Sequence, residues 1–314
     1  VRRVWVGGGL ASAAAIVAAW IAIGVGGGSG GGQFCPPFPA FPDANCTGVP
    51  AGVTFTTPAL DSDHNYVINV ANTVVDGVDM HATSPSDPMG CIIVKKTGVT
   101  IKNSKVRCIV TENEADAPGA TPRLKIEDTE VDCQRSAATN QGSPTGIFWQ
   151  NFDALRVDIQ RCENGLDMEM NASLQDSYIH NLSQCATPAC IEPDAHTDGI
   201  QSGNSSGLVI KHNNISVVNL PCGTSDGSCA GTGSINLNHN PLTGTFTNTL
   251  VSQNLLLGGS AWIYCPQATT VSWVVTKNHL SNAWTGVNPQ TDGCANEDAG
   301  DNVIHETGAH FGLG

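Results

Sequence analysis

Between positions 196 and 216 the chain reads HTDGIQSGNSSGLVIKHNNIS, and its first half brings an imidazole, a carboxylate and an amide close together: His196, Asp198 and Gln201. Asp167 and Glu169 lie upstream in NGLDME, and Glu192 and Asp194 immediately precede the stretch. Neighbouring carboxylates can work as an acid and base pair on a glycosidic bond, one protonating the leaving oxygen while the other activates water or attacks the sugar. Asp198, His196 and Asp167 are the candidate catalytic groups. The same residues admit a plainer reading, in which Asp198-Gly199 shapes the turn into a strand and His196 caps a carbonyl. Hard oxygen ligands suit Ca²⁺, and Asp167, Glu169, Glu192, Asp194 and Asp198 are the groups that could hold it.

A second pattern surrounds these residues. TGIFWQ at 145–150, NGLDME at 164–169, DGIQSG at 198–203, GSINLN at 233–238 and AWIYCP at 261–266 each carry one aliphatic residue that should point inward. Aligning Ile147, Leu166, Ile200, Ile235 and Ile263 places Phe148, Asp167, Gln201, Asn236 and Tyr264 in one outward row. Polar groups flanked by aromatic rings are what a sugar-binding groove needs, so Gln201, Asn236, Tyr264 and Glu169 are the candidate substrate-binding residues. Two long inserts, 182–198 with Cys185 and Cys190 and 216–233 with Cys222 and Cys229, leave the chain beside this row. Loops that carry function cluster in this way, and a tolerant scaffold edge would produce the same inserts.

The elements that must position the row come from self-similarity. VTIKNSKV at 99–106 recurs as LKIEDTEV, LRVDIQRC, ASLQDSYI, LVIKHNNI, TLVSQNLL and WVVTKNHL. The aliphatic anchors are Ile101, Ile126, Val157, Leu174, Ile210, Val251 and Val275, with weaker copies around Val75 and Val303. Three residues after each anchor comes a turn residue, Ser104, Thr129, Gln160, Ser177, Asn213, Asn254 or Asn278. An apolar position comes two residues later: Val106, Val131, Cys162, Ile179, Ile215, Leu256 or Leu280. Successive anchors are 17 to 41 residues apart, too close for separate domains and suited to one turn of a coil. Short β-branched runs between Gly, Asn and Asp exclude a helical repeat. Stacked parallel strands would align the Asn and Ser positions into a ladder at a tight corner, where Asn accepts left-handed geometry.

The pattern VTIKNSKV, IEDTEV, HTDGIQ, VIKHNNI and NLLLGG resembles secreted bacterial right-handed parallel β-helix proteins of the pectate-lyase-like superfamily. Within it, the chain is similar to exported actinobacterial and phage-tail β-helix proteins that open with a Pro-rich stretch like FPDANCTGVPAGV; the likeness runs from Phe41 to Gly308. It implies an all-β fold, a single-stranded right-handed parallel β-helix or solenoid of about nine coils. It implies a polysaccharide partner for a hydrolase or lyase, or a non-catalytic adhesion or structural β-helix at a cell surface or phage tail. Tail-type relatives form trimers, which puts a homotrimer among the expected assemblies. DAHTD at 194–198 is similar to the Asp-Pro-His-Asp signature of mannuronan epimerases, with Ala195 in place of proline and Thr197 inserted.

Composition sets the remaining bounds. The chain has 314 residues, 35 Gly, 17 Pro, 13% charged residues and a net charge of −14, enough length for one large domain and the wrong sign for a nucleic-acid partner. Arg2 and Arg3 precede an apolar run from Val4 to Val25 and a Gly-rich stretch. Residues 1–33 therefore read as a signal peptide or membrane-anchor helix with a linker, and 34–314 as the β-helix, secreted or held at the cell surface, touching membrane only through that segment. The 12 cysteines have no Cys-x-x-Cys spacing and are expected as sequence-adjacent disulfides: 35–46, 91–108, 133–162, 185–190, 222–229 and 265–294. Of the 12 basic residues after the leader, ten lie at or before Arg161, leaving Lys211 and Lys277 in the half that holds the row. Lyases and epimerases need cations to neutralise a uronate carboxylate, and here they are scarce. His180 and His239 read as structural. No nucleophile elbow, phosphate loop or dinucleotide fingerprint occurs.

Overall fold

A motif that offers one inward aliphatic residue per short strand cannot form a hairpin core, and it satisfies its backbone by pairing with the equivalent strand one turn away. The computed structural model describes residues 33–81, 90–134, 145–182, 197–203, 206–218, 232–237, 245–259, 261–266, 270–282, 290–292 and 301–311, and its strands pair in this way from Tyr66 onward. The 25 strands form three parallel sheets of nine, eight and eight strands. The first sheet runs from Tyr66–Ile68 through Thr145–Trp149, Asn164–Met168, Asp198–Gln201, Gly233–Asn236 and Ala261–Tyr264 to Gln290–Asp292. The second runs from Val74–Asp76 to Thr270–Thr276 and the third from Lys105–Val106 to Val303–Ile304. The chain visits the three sheets in turn, the strand order of a parallel solenoid. Among the described residues no helix is long and apolar enough to cross a membrane, and the leader expected at residues 1–33 falls, but for Gln33, outside them.

The anchors stack as the repeat predicts, with two corrections. Val75, Ile101, Ile126, Leu174, Ile210, Val251 and Val275 lie in register on the second sheet. The member between Ile126 and Leu174 is Ala154, not Val157. Val157 instead takes the corner position, and Ile159, not Cys162, pairs with Val131 and Ile179. The misreading arose because this turn has an apolar residue where its neighbours have a polar one, so Val157 mimics an anchor three residues late. Val303 is likewise displaced: it pairs with His279 on the third sheet, behind the corner residue Asn302.

The left-handed corner residue is also one position earlier than expected. Asn103, Asp128, Arg156, Asp176, His212, Gln253 and Lys277 all have φ between 48 and 59°. The residue after each turns inward, and Ser177, Asn213, Asn254, Asn278 and Asn302 form a fully buried polar ladder. Asn254 Oδ1 accepts the Asn213 backbone N–H and amide, both at 3.0 Å, while its own amide donates to the Ile210 carbonyl and Asn278 Oδ1, both at 2.9 Å. Each side chain thus satisfies backbone groups that the corner takes out of the sheets, where an unmet donor or acceptor would be costly.

Disulfides Cys35–Cys46, Cys91–Cys108 and Cys133–Cys162 are present as expected, the pattern of a chain folding in an oxidising compartment. Cys265 is also bonded; the other expected pairs involve cysteines outside the described residues. The Pro-rich opening segment lies on the third sheet: His212 Nε2 bonds the Ala40 carbonyl, Asn214 donates to the Pro42 carbonyl, and Phe41 packs edge-on to His279.

Asn254→Ala should destabilise by about 3 kcal/mol, because it strands two donors of Asn213 and the Ile210 carbonyl. Gln253→Gly, one residue away at φ 59°, should be neutral or stabilising. Thermal melts of the two variants check the assignment of the ladder.

Candidate functional site

The outward row is set from beneath by glycine. A Cβ on Gly165 would meet the Gly199 carbonyl at 2.4 Å and Ile179 at 2.9 Å, and one on Gly199 would meet Ile215 at 2.4 Å. At Ile147, Leu166 and Ile200 the preceding residue is glycine, which lets these three strands approach the third sheet closely and pins the register of the outward residue that follows. Phe148, Asp167, Gln201, Asn236 and Tyr264 are consequently paired in sequence across adjacent turns, the row expected from strand alternation. Asp167, Phe148 and Tyr264 are half-buried, and Gln201 and Asn236 are buried.

Asp167 stands where the row meets solvent. Burial, then the charge of Glu169, raise its carboxyl to about 6, against a bond from the Gln201 amide that lowers it. One of its oxygens is buried without a partner. Glu169 comes two residues later on the same segment, where its Oε1 accepts the Gly203 N–H at 3.1 Å. Two carboxylates and the Gln201 amide therefore share one stretch of the first sheet, with Asn236 one turn further on.

Asp198 is not at the mouth of the row. It is 0% exposed, beneath Asn236, whose amide donates to its Oδ2 at 3.2 Å, with a further bond from the Gly233 backbone; its own N–H donates to Asn164. Burial is the main cause that lifts its carboxyl to about 7. Its Oδ1 and the neighbouring Thr197 hydroxyl have no partner. The turn into the strand at Gly199 directs Asp198 under the row, a consequence of the close sheet approach that spacing alone does not reveal. His196, Glu192 and Asp194 lie outside the described residues.

His212 is buried at the corner of the second and third sheets. Burial opposes its charge, but the Asp176 carboxylate and the Ala40 carbonyl raise it overall. His180 pairs with Asp158 at 2.7 Å and stacks on Tyr178, a structural role. Among the described residues the one close group of three metal-type ligands is His81, Glu130 and Asp132. Its acids are already matched by Lys105 and Arg161. Asp167, Glu169 and Asp198 do not converge in that way, so the described carboxylates do not by themselves fit Ca²⁺.

Sequence reasoning passed over Trp149, at the end of the strand that carries Phe148. It is 43% exposed at φ 83°. Nothing in FWQ distinguishes an outward tryptophan from a core one.

No protein-family model, curated protein or solved structure matches the chain.

Asp167 and Asp198 both hold a proton more tightly folded than unfolded, where carboxyls titrate near 3.8. Their stabilisation is complete below that value and is lost as pH rises through about 6 and about 7. Thermal stability should therefore be higher near pH 5 than near pH 8. His212 acts in the same direction, so the deciding measurement is Asp198→Asn, which should flatten the slope and raise Tm at the alkaline end.

Proposed function

We propose that the chain is an exported, cell-surface or secreted right-handed parallel β-helix protein of the pectate-lyase-like kind, which binds and hydrolyses a polysaccharide along its first sheet. The observation that carries this is Asp167: a half-buried carboxyl held protonated up to about pH 6, beside a second carboxylate and inside a row of amides and aromatic rings. A carboxyl in that state can donate to a glycosidic oxygen, while Glu169, fixed by the Gly203 N–H, serves the attacking water. Asp198, sealed under Asn236, is a positioning residue that orients the Asn236 amide.

Hydrolysis is favoured over elimination by the cations. Lys95, Lys96, Lys102, Lys105, Arg123, Arg156 and Arg161 all pair with carboxylates, which locks them onto the scaffold. A uronate would find little to neutralise it at the row. The burial of Asp198 supports one other reading, a glycan-binding adhesion module without catalysis.

Incubation with a panel of soluble polysaccharides, read by reducing ends and by the ultraviolet absorbance of unsaturated products, tests the proposal. Reducing ends should appear without unsaturation, and the rate should fall as pH rises through about 6. Asp167→Asn should lower turnover on the order of 10²–10⁴-fold with Tm retained. Binding without any cleavage would move the assignment to the adhesion module, and absence of binding to every glycan would overturn it.

A further inference from the structure

Seventeen described residues other than glycine have positive φ, and Trp149 is the single large hydrophobe among them. Its φ of 83° exceeds all the others, which lie between 48 and 63°. A bulky side chain in that region is a genuine outlier, and such residues persist where the surroundings hold them for a purpose. Trp149 is held on both sides: its carbonyl accepts the Glu169 N–H at 2.8 Å, and the Thr111 hydroxyl bonds the carbonyls of Phe148 and Gln150.

The left-handed backbone has a visible effect. In the next turn the residue paired with Trp149 is Met168, which is 0% exposed in the core. A regular extended strand would send Trp149 inward in the same way. Positive φ turns the indole out instead, leaving it 43% exposed, whereas the other described tryptophans, Trp262 and Trp273, are buried. Its neighbour Phe148 is the partner of Asp167, so strand geometry puts Trp149 roughly 6 Å from Asp167 between Cα atoms. An exposed aromatic face next to hydrogen-bonding carboxylates and amides matches a pyranose ring, which has an apolar C–H face and a hydroxyl-bearing rim.

We infer that Trp149 is the stacking platform of the row and that the ligand it seats is a neutral, uncharged-sugar glycan. The inference rests on the proposed function and adds to it the residue that grips the sugar and the class of sugar gripped. The backbone strain is the cost of presenting the ring, so affinity and stability should separate at this position.

Native protein, Trp149→Ala, Trp149→Phe and Trp149→Gly are titrated with neutral oligosaccharides and with uronic-acid oligomers by calorimetry, with melts in parallel. Trp149→Ala should weaken binding of neutral oligosaccharides at least tenfold, and Trp149→Phe should recover much of the affinity. Trp149→Gly should lose affinity while raising Tm. A glycan bound equally well by native protein and Trp149→Ala would overturn the platform while leaving the proposed function standing. Preference for uronic oligomers would overturn the neutral-sugar assignment. Failure of the native protein to bind any sugar would remove the function itself, and retention on lipid vesicles lost in Trp149→Ala would assign the ring to a membrane surface and overturn the inference.

Discussion

The buried polar ladder at the corner between the second and third sheets is what allows the turns to stack at all. Each turn of the chain bends sharply there, which pulls backbone donors and acceptors out of sheet pairing and into an interior without water. Asn213, Asn254, Asn278 and Asn302 return them to hydrogen-bonded partners, each amide linking two turns at 2.9–3.1 Å. Because asparagine presents both a donor and an acceptor, identical residues bond to one another without limit of length. Earlier turns do the same with hydroxyls, as when the Ser177 hydroxyl accepts the Val157 N–H at 3.1 Å. Where Val157 breaks the polar series, the hydroxyl of the next turn takes over.

With the corners fixed, the sheets are free to differ outside. The third is covered by the Pro-rich strap and its aromatic contacts with His279 and His305. Salt bridges between turns run along the N-terminal half, as between Arg156 and Asp128 and between Lys102 and Asp76. The more exposed of these pairs, such as Lys102 with Asp76, contribute little individually, yet together the bridges engage the cations that an anionic substrate would require. The first sheet keeps a row of amides and carboxyls with few counter-charges, and burial there favours protonated acids. That chemistry suits acid catalysis or neutral-sugar binding better than proton abstraction beside a uronate.

How much was legible varies with how local the cause is. Register of the row came from single aliphatic residues in TGIFW, NGLDM, DGIQ and GSIN, since inward and outward alternate by one residue. Nearest-neighbour cysteine pairing held for the three complete bridges described. The anchor at Ala154 was missed because alanine is a weak hydrophobic signal beside Val157. Asp198 was expected in the groove because its sequence neighbours point there, but the glycine contact that lowers the strand is made with Ile215, a residue on another sheet.

The repeat, the parallel all-β class, the inward positions and the composition of the outward row were all readable from the sequence alone, because they depend on the alternation and spacing of side chains along one chain. Which carboxyl reaches solvent and which is sealed, where the left-handed residues fall, and that Trp149 faces outward were settled only in three dimensions. Those outcomes depend on how closely two sheets approach and on which neighbour covers a side chain, distances between residues far apart in the chain that local pattern does not encode.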